Sequence, residues 1–305
     1  MRNKQFKGHL AIIGANLIWG LYATVCKTLL LSSLLSSWAL CGIKMIGGAL
    51  LFWTIALVIP RRYVPQESVT KSDLAKLFLA SMLINTGNQS CIILGLNYTS
   101  PLDGTVICSM APIFTIALGW LLLKDKISFT KVLGIIIGFI GALLFVFIGA
   151  GDRHASNPLL GNILMIASQI FGALYLLMFT DVLGKYHVIT LMKWLFLFSA
   201  IVLTPITASY IISTPWSLFT MTNWLQLAYI ILLATGVAYF LLVVGQKSVS
   251  PSAIAIYNYI QPITATISSI IIGVAAITGQ NILATMLCLI GVCIVTRKEK
   301  EKTQI

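Results

Sequence analysis

The chain has 305 residues, of which 58% are hydrophobic and only 9% charged, with a mean hydropathy of +0.97. A soluble domain carries roughly 25% charged residues, so this composition excludes a soluble enzyme or binding module and points to an integral membrane protein. The formal charge of +12 would suit nucleic acid only as a patch, and the basic residues are instead spread along the flanks of apolar runs.

Those runs fall at about 10–31, 37–60, 74–96, 102–123, 132–149, 159–180, 188–212, 223–245, 252–275 and 280–296. Roughly 20 residues at 1.5 Å per residue cross a hydrocarbon core of ~30 Å. The expected fold is therefore an all-α polytopic membrane protein with ten transmembrane helices, here spans 1 to 10. The first run is long enough to cross and is read as a helix, not a cleaved signal. The connections are short, the longest being 61–73 and 150–158, and leave no room for a soluble domain. Six cysteines, at 26, 41, 91, 108, 288 and 293, all lie in apolar runs. They read as small core side chains, so neither a disulfide framework nor a metal site is expected, and no cofactor.

Orientation follows from Lys and Arg. With the N-terminus in the cytoplasm, the inner side collects Arg2, Lys4, Lys7, Arg61, Arg62, Lys71, Lys76, Lys124, Lys126, Lys131, Lys185, Lys247, Arg297, Lys298, Lys300 and Lys302, and the outer loops hold only Arg153. Both termini are thus expected in the cytoplasm. The basic charge faces anionic lipid and calls for no nucleic-acid partner.

The chain also repeats itself. At an offset of 150, Ser100-Pro101 falls on Ser250-Pro251, Pro112-Ile113 on Pro262-Ile263, Leu133 on Leu283 and Ile140-Gly141 on Ile290-Gly291. At an offset of 153, Asn16 falls on Gln169 and Leu21-Tyr22 on Leu174-Tyr175. The expected organisation is 1–149 and 159–305 as two five-helix copies, with 150–158 as linker. Five is odd, so the second copy enters the membrane upside down. Carriers use such inverted repeats to rock around a site near the midplane.

Polar side chains inside spans mark where a cavity could lie. In span 1, Asn16, Gly20, Thr24 and Lys27 share a face with Trp19 beside it, and Trp19 either closes a cavity or faces lipid. In span 3, Asn85 and Asn88 lie on one stripe with Ser81, and Gln89 is next to it. Span 4 offers Ser109 and the kink-forming Pro112. Span 8 offers Tyr239. In span 9, Tyr257, Gln261, Thr264 and Ser268 recur at helical spacing, with Asn258 adjacent and Pro262 near mid-membrane. Each of these either lines a cavity or glues helices together. Lys27, near the outer end of span 1, can snorkel to water. Lys44 in span 2 and Lys193 in span 7 either snorkel, contact a carboxylate or phosphate of the substrate, or form an ion pair with a partner. Asp103, in the first turn of span 4, is the one acid expected within a span; it serves the helix N-terminus or couples protons.

Trp19-Gly20 with Lys27, Lys44 in span 2, and Tyr98-Thr99-Ser100-Pro101 followed by Ala111-Pro112 and Leu123-Lys124-Asp125 resemble the drug/metabolite transporter superfamily, specifically its EamA-type ten-helix carriers, over nearly the whole chain. The family commonly has Glu where Asp125 stands, and the second copy has Val274-Ala275-Ala276 there, so this acid reads as structural. The resemblance implies a carrier of the cytoplasmic (inner) membrane, usually an exporter of small metabolites such as amino acids. Spans 1–4 and 6–9 would line the path, and spans 5 and 10 would pack outside it, with a homodimer contact as one use.

The function expected is secondary export of a small polar, amino-acid-like metabolite by alternating access. No GxxxxGK[ST] nucleotide loop is present, and no HExxH or GxSxG enzyme motif. The rival readings are an organic-anion or phosphate-ester antiporter held by Lys44 and Lys193, and a non-transporting membrane scaffold.

Overall fold

The computed structural model describes residues 2–60, 62, 65, 67–124, 127–148, 155–246, 249, 257–274 and 279–296. Among them the chain is helical and carries no strand. The helices are α1 (Arg2–Leu31), α2 (Ser37–Val58), α3 (Lys71–Tyr98), α4 (Pro101–Ser109), α5 (Ala111–Leu123), α6 (Phe129–Ile148), α7 (Pro158–Met178), α8 (Thr180–Lys185), α9 (Val188–Ile212), α10 (Met221–Gly245), α11 (Ile260–Ile272) and α12 (Gly279–Thr296).

These rods are apolar almost all round, so polar punctuation falls at their ends. Ser36 Oγ accepts the Ala39 N–H at 3.1 Å, Thr70 Oγ1 that of Asp73 at 3.2 Å, Ser100 Oγ that of Asp103 at 3.0 Å and Asn157 Oδ1 that of Leu160 at 3.1 Å. Pro101 and Pro158 follow two of these caps, where a missing N–H costs nothing. Thr220 and Asn223 form a reciprocal capping box at the start of α10.

By length and composition, six described helices can cross a membrane: Gln5–Leu31, Ser37–Val58, Lys71–Tyr98, Pro158–Met178, Val188–Ile212 and Met221–Gly245. A seventh crossing arises if α4 and α5, bent by 43° at Met110, count as one. That bend is the kink expected from Pro112, which cannot donate to the Cys108 carbonyl four residues back. Spans 5, 9 and 10 of the sequence reading fall on shorter apolar helices, Phe129–Leu144, Ile260–Ile272 and Ile282–Thr296. Asp125, Ser250-Pro251, Ala275-Ala276, Arg153 and the basic residues 297–302 lie outside the described residues.

Two helices depart from α geometry. α3 runs as a π-helix over Met82–Gln89, and α10 over Tyr229–Val237. Long π segments are uncommon and frequently accompany functional sites. Here they fall in the third long apolar helix of each half.

The main helix pairings join one half to the other. α2 packs on α9, α1 on α10 and α11, α3 on α7, α4 on α11 and α6 on α12. The last pair meets through small residues. A Cβ on Gly291 would lie 2.6 Å from Gly138 Cα, and one on Gly141 would lie 2.7 Å from the Cys288 nitrogen. Backbones this close are how membrane helices gain van der Waals contact where no hydrophobic effect drives them together. The opposite faces of α6 and α12 expose Leu133, Ile136, Ile282 and Met286, as lipid requires.

Candidate functional site

Between the halves lies a cavity of about 220 Å³. Trp19, Tyr22 and Ala23 of α1, Lys44 of α2, Asn88 and Gln89 of α3 and Thr105 and Cys108 of α4 line it from the first half. Met165 and Gln169 of α7, Ala234 and Tyr239 of α10 and Gln261 of α11 line it from the second. A space of this size suits a small metabolite rather than a drug-sized molecule. A second, wholly apolar groove, lined by residues such as Trp120, Leu121, Phe139 and Ile170 on α5, α6 and α7, offers no polar group to orient a solute.

The polar wall is ordered by Lys44. Its side chain is 4% exposed; Nζ donates to Tyr22 Oη at 3.1 Å and to Gln89 Oε1 at 2.6 Å and stands 4.4 Å from the Tyr22 ring centre. An ammonium can only donate, so Gln89 must turn its oxygen toward it. Gln89 Nε2 then donates to Asn88 Oδ1 at 2.9 Å, and Asn88 Nδ2 to the Ser168 carbonyl at 2.6 Å. The chain of donors runs one way, from α2 through the π segment of α3 to α7. Across the cavity, Gln261 Nε2 donates to Asn16 Oδ1 at 2.7 Å, and Asn16 Nδ2 to the Ile12 carbonyl at 2.9 Å. Gln169 Nε2 donates to Ser168 Oγ at 2.8 Å. The Trp19 indole donates to the Ala234 carbonyl at 3.0 Å, and its ring meets Tyr239 edge-on at 5.5 Å.

Of the residues expected to touch substrate, Trp19, Lys44, Asn88, Gln89, Tyr239 and Gln261 come together on this wall. Trp19 closes the cavity rather than facing lipid, and Lys44 faces the cavity rather than snorkelling. Asn16 does not reach the space; it stands behind Gln261 and holds its amide. Asn85 is buried away from the lining, and its Nδ2 finds no partner among the described residues. Ser109 bonds the Val106 carbonyl at 2.7 Å within its own helix, and Pro112 and Pro262 shape α5 and α11 without lining the space. Tyr257 meets His9 at 2.9 Å, and Asn258 sits in the turn before α11. The span 9 stripe faces α1: Ser268 and Thr24 bond at 2.7 Å, and Thr264 abuts Gly20. Gluing therefore accounts for that stripe, apart from Gln261.

Three charged positions also differ from or refine the expectation. Lys27 does not snorkel; it is fully buried and donates to the Asn97 carbonyl at 3.2 Å. Lys193 does not reach the cavity. Its ammonium lies 5.0 Å from the Trp53 ring centre, so no pair with Lys44 exists to grip one phosphate. Asp103 is fully buried at the junction of α3, α4 and α7, with Thr99 Oγ1 3.4 Å from its Oδ2 and 2.6 Å from Asn162 Oδ1; it is not on the cavity wall. The sequence reading passed over Tyr22, Thr105, Cys108 and Gln169. Gln169 was detectable, because the repeat sets it opposite Asn16.

Outside the cavity lining, residues of the two halves are tied by charge. Lys76 pairs with Asp181, and Lys185 Nζ reaches Asp73 Oδ2 at 2.5 Å, where the Tyr186 hydroxyl also donates at 2.6 Å. The His187 N–H donates to Glu67 Oε2 at 2.8 Å. Hydrogen bonding from Lys76 holds the Asp181 carboxyl below its usual range, and hydrogen bonding to Asp73 holds the Lys185 ammonium above its own.

The profile of the EamA-like transporter family matches residues 6–147 and again 159–297. The uncharacterized transporter YetK of Bacillus subtilis (strain 168) is 23% identical over 261 residues, covering 85% of this chain and 76% of YetK. The uncharacterized transporter YyaM of the same organism is 26% identical over 238 residues, covering 74% of this chain and 75% of YyaM. A solved crystal structure aligns with a TM-score of 0.60 over 94% of this chain and 95% of that chain, at 16% identity. That likeness concerns fold alone.

Proposed function

We propose a function from one premise: the chain belongs to the EamA-like transporter family, and it works as a secondary carrier that exports a small polar, amino-acid-like metabolite across the cytoplasmic membrane. The observation that carries this reading is the cavity between the halves, walled by Lys44, Asn88 and Gln89 on one side and by Gln169, Tyr239 and Gln261 on the other. A binding space built from both halves is what alternating access needs, since rocking one half against the other changes the side from which the space is reached. In this reading ten helices cross the bilayer as two inverted five-helix copies with both termini in the cytoplasm. The family profile matching twice, and the asymmetry of Lys and Arg, support it. Pairing of two copies would use the outer faces of α6 and α12, because their glycine faces are already joined within one chain.

The test is the extracellular metabolite profile of cells overproducing the protein, compared with cells carrying Gln261→Ala. Export predicts that one compound class accumulates outside and that the variant loses most of the rise. Identical profiles for both strains and an empty control would reject export. One specific observation favours the anion branch of the alternatives over a generic amino acid, namely the cation Lys44 in the cavity wall, with no acid beside it among the described lining residues.

A further inference from the structure

We infer that the cargo of this cavity is a monoanion: a small carboxylate that carries neutral hydroxyl or amide donors and no ammonium group. This rests on the carrier reading and narrows it.

The charge count comes first. Among the described lining residues Lys44 is the one cation, and no Asp or Glu is among them. The chain holds eight acids: Glu67, Asp73, Asp103, Asp125, Asp152, Asp181, Glu299 and Glu301. Asp73 and Asp181 are paired with Lys185 and Lys76, Glu67 accepts the His187 N–H, and Asp103 is buried at the α3, α4 and α7 junction. The other four, Asp125, Asp152, Glu299 and Glu301, lie outside the described residues. The Lys44 ammonium is thus held by a phenol and an amide, both neutral. A cation in a space of low dielectric is stabilised strongly by an anion brought to it, and with the cavity wall at +1 the complex becomes neutral when the cargo carries −1.

The hydrogen-bond polarity comes second. Gln261 and Gln169 each spend amide N–H groups on protein acceptors, on Asn16 and on Ser168. Their carbonyl oxygens keep no protein partner among the described residues, so besides Lys44 the lining offers two amide acceptors. Acceptors call for donors on the cargo. A neutral hydroxyl or amide N–H satisfies them, whereas an ammonium would enter with no carboxylate to receive it and leave the complex at +1. The aromatic sides, Trp19, Tyr22 and Tyr239, cover the apolar part of the molecule. A cationic anchor, amide acceptors and a volume of about 220 Å³ describe a compound of amino-acid size, such as a hydroxy acid or an N-acylated amino acid.

The test uses the full-length protein in liposomes loaded with a ¹³C-labelled small-metabolite extract, with the same extract unlabelled outside. Uniport and strict exchange then both release label. Mass spectrometry of the outer solution is expected to show that the compounds released faster than from empty liposomes carry one carboxylate and no ammonium. Lys44→Gln should lower their release by about 10- to 100-fold, the range for losing one charge-assisted hydrogen bond, while Lys44→Arg should stay within several-fold of the parent. Release of amino acids or amines in place of monoanions overturns the inference and leaves the carrier reading standing. So does a Lys44→Gln protein that elutes as the parent does in gel filtration and transports at the parent rate. If Lys44→Gln does not fold, the chemistry of the compounds released by the parent still decides. No release above empty liposomes overturns the carrier reading, and this inference with it.

Discussion

Gly20 shows how much one side chain decides. A Cβ at this position would lie 2.6 Å from the Gln261 carbonyl oxygen and 2.6 Å from Thr264 Cβ, so α1 and α11 touch only because the position is bare. Gly20→Ala has to push the two helices apart. It is expected to cost about 1–3 kcal/mol, as overpacking does, and to move Gln261 off the cavity wall. Thermal unfolding in detergent should fall, and transport should fall further than stability alone explains. Gly184, in α8, is the control, because a Cβ there meets nothing within 4 Å. Gly184→Ala should be neutral or gain up to about 1 kcal/mol from helix propensity. Equal effects at the two sites would defeat the packing explanation.

At the scale of elements, α6 and α12 form a tight pair that contributes nothing to the cavity lining. Gly291→Leu would drive a branched side chain into the Gly138 backbone and separate them. The expected result is a clear loss of thermal stability with an unchanged KM for the protein that remains folded. A shifted KM would mean that the pair shapes the binding space after all. The π segments of α3 and α10 are the elements that the sequence reading missed. An apolar run reports the length of a helix and says nothing about whether its amides reach four or five residues back. The wider turn in α3 changes which side chains share a face. That is one reason why Asn88 and Gln89 reach the cavity while Asn85, expected on the stripe of Asn88, does not.

For the whole molecule, the charges between the halves matter because they tie residues 67–76 to residues 181–187. Lys76 and Asp181 are both solvated, so that pair adds little to stability, whereas Lys185 is exposed and its partner Asp73 is buried; together they would resist separation of the two halves. With Cys91 and Cys293 replaced by Ser, Cys108 on the cavity wall reports access. Asp181→Asn combined with Lys185→Gln should speed its labelling by a membrane-impermeant maleimide added on the side of the membrane where those pairs lie. Labelling at the parent rate would mean that the ion pairs are not a gate. Asp181 is held low, so its pairing is complete above its ordinary pKa and is lost only as pH falls through the depressed value. Lys185 is held high, so its pairing is complete below its ordinary pKa and is lost as pH rises through the raised value. Both pairs therefore stay charged from about pH 6 to pH 8, and the ratio of variant to parent labelling rates, from which the pH dependence of the Cys108 thiolate cancels, should be flat across that window.

What the sequence determined by itself was everything that composition and long-range repetition can carry. The apolar runs require membrane helices because each run is long enough to bury its own backbone hydrogen bonds in hydrocarbon. The 150-residue offset and the Trp19-Gly20, Lys27 and Ala111-Pro112 patterns pointed to the family. They also picked out several residues of the cavity wall, because an amide or a lysine in a span is costly without a reason. The tertiary structure alone decided which of these residues face the cavity. Tyr257 and Ser268 have the spacing of a lining stripe yet face α1, and Lys193 resembles Lys44 in sequence yet lies on Trp53. Helical periodicity places residues on a face, but which neighbour covers that face depends on packing across more than a hundred intervening residues. Lys44 and Gln261, 217 positions apart, line one cavity only because the two halves pack into each other.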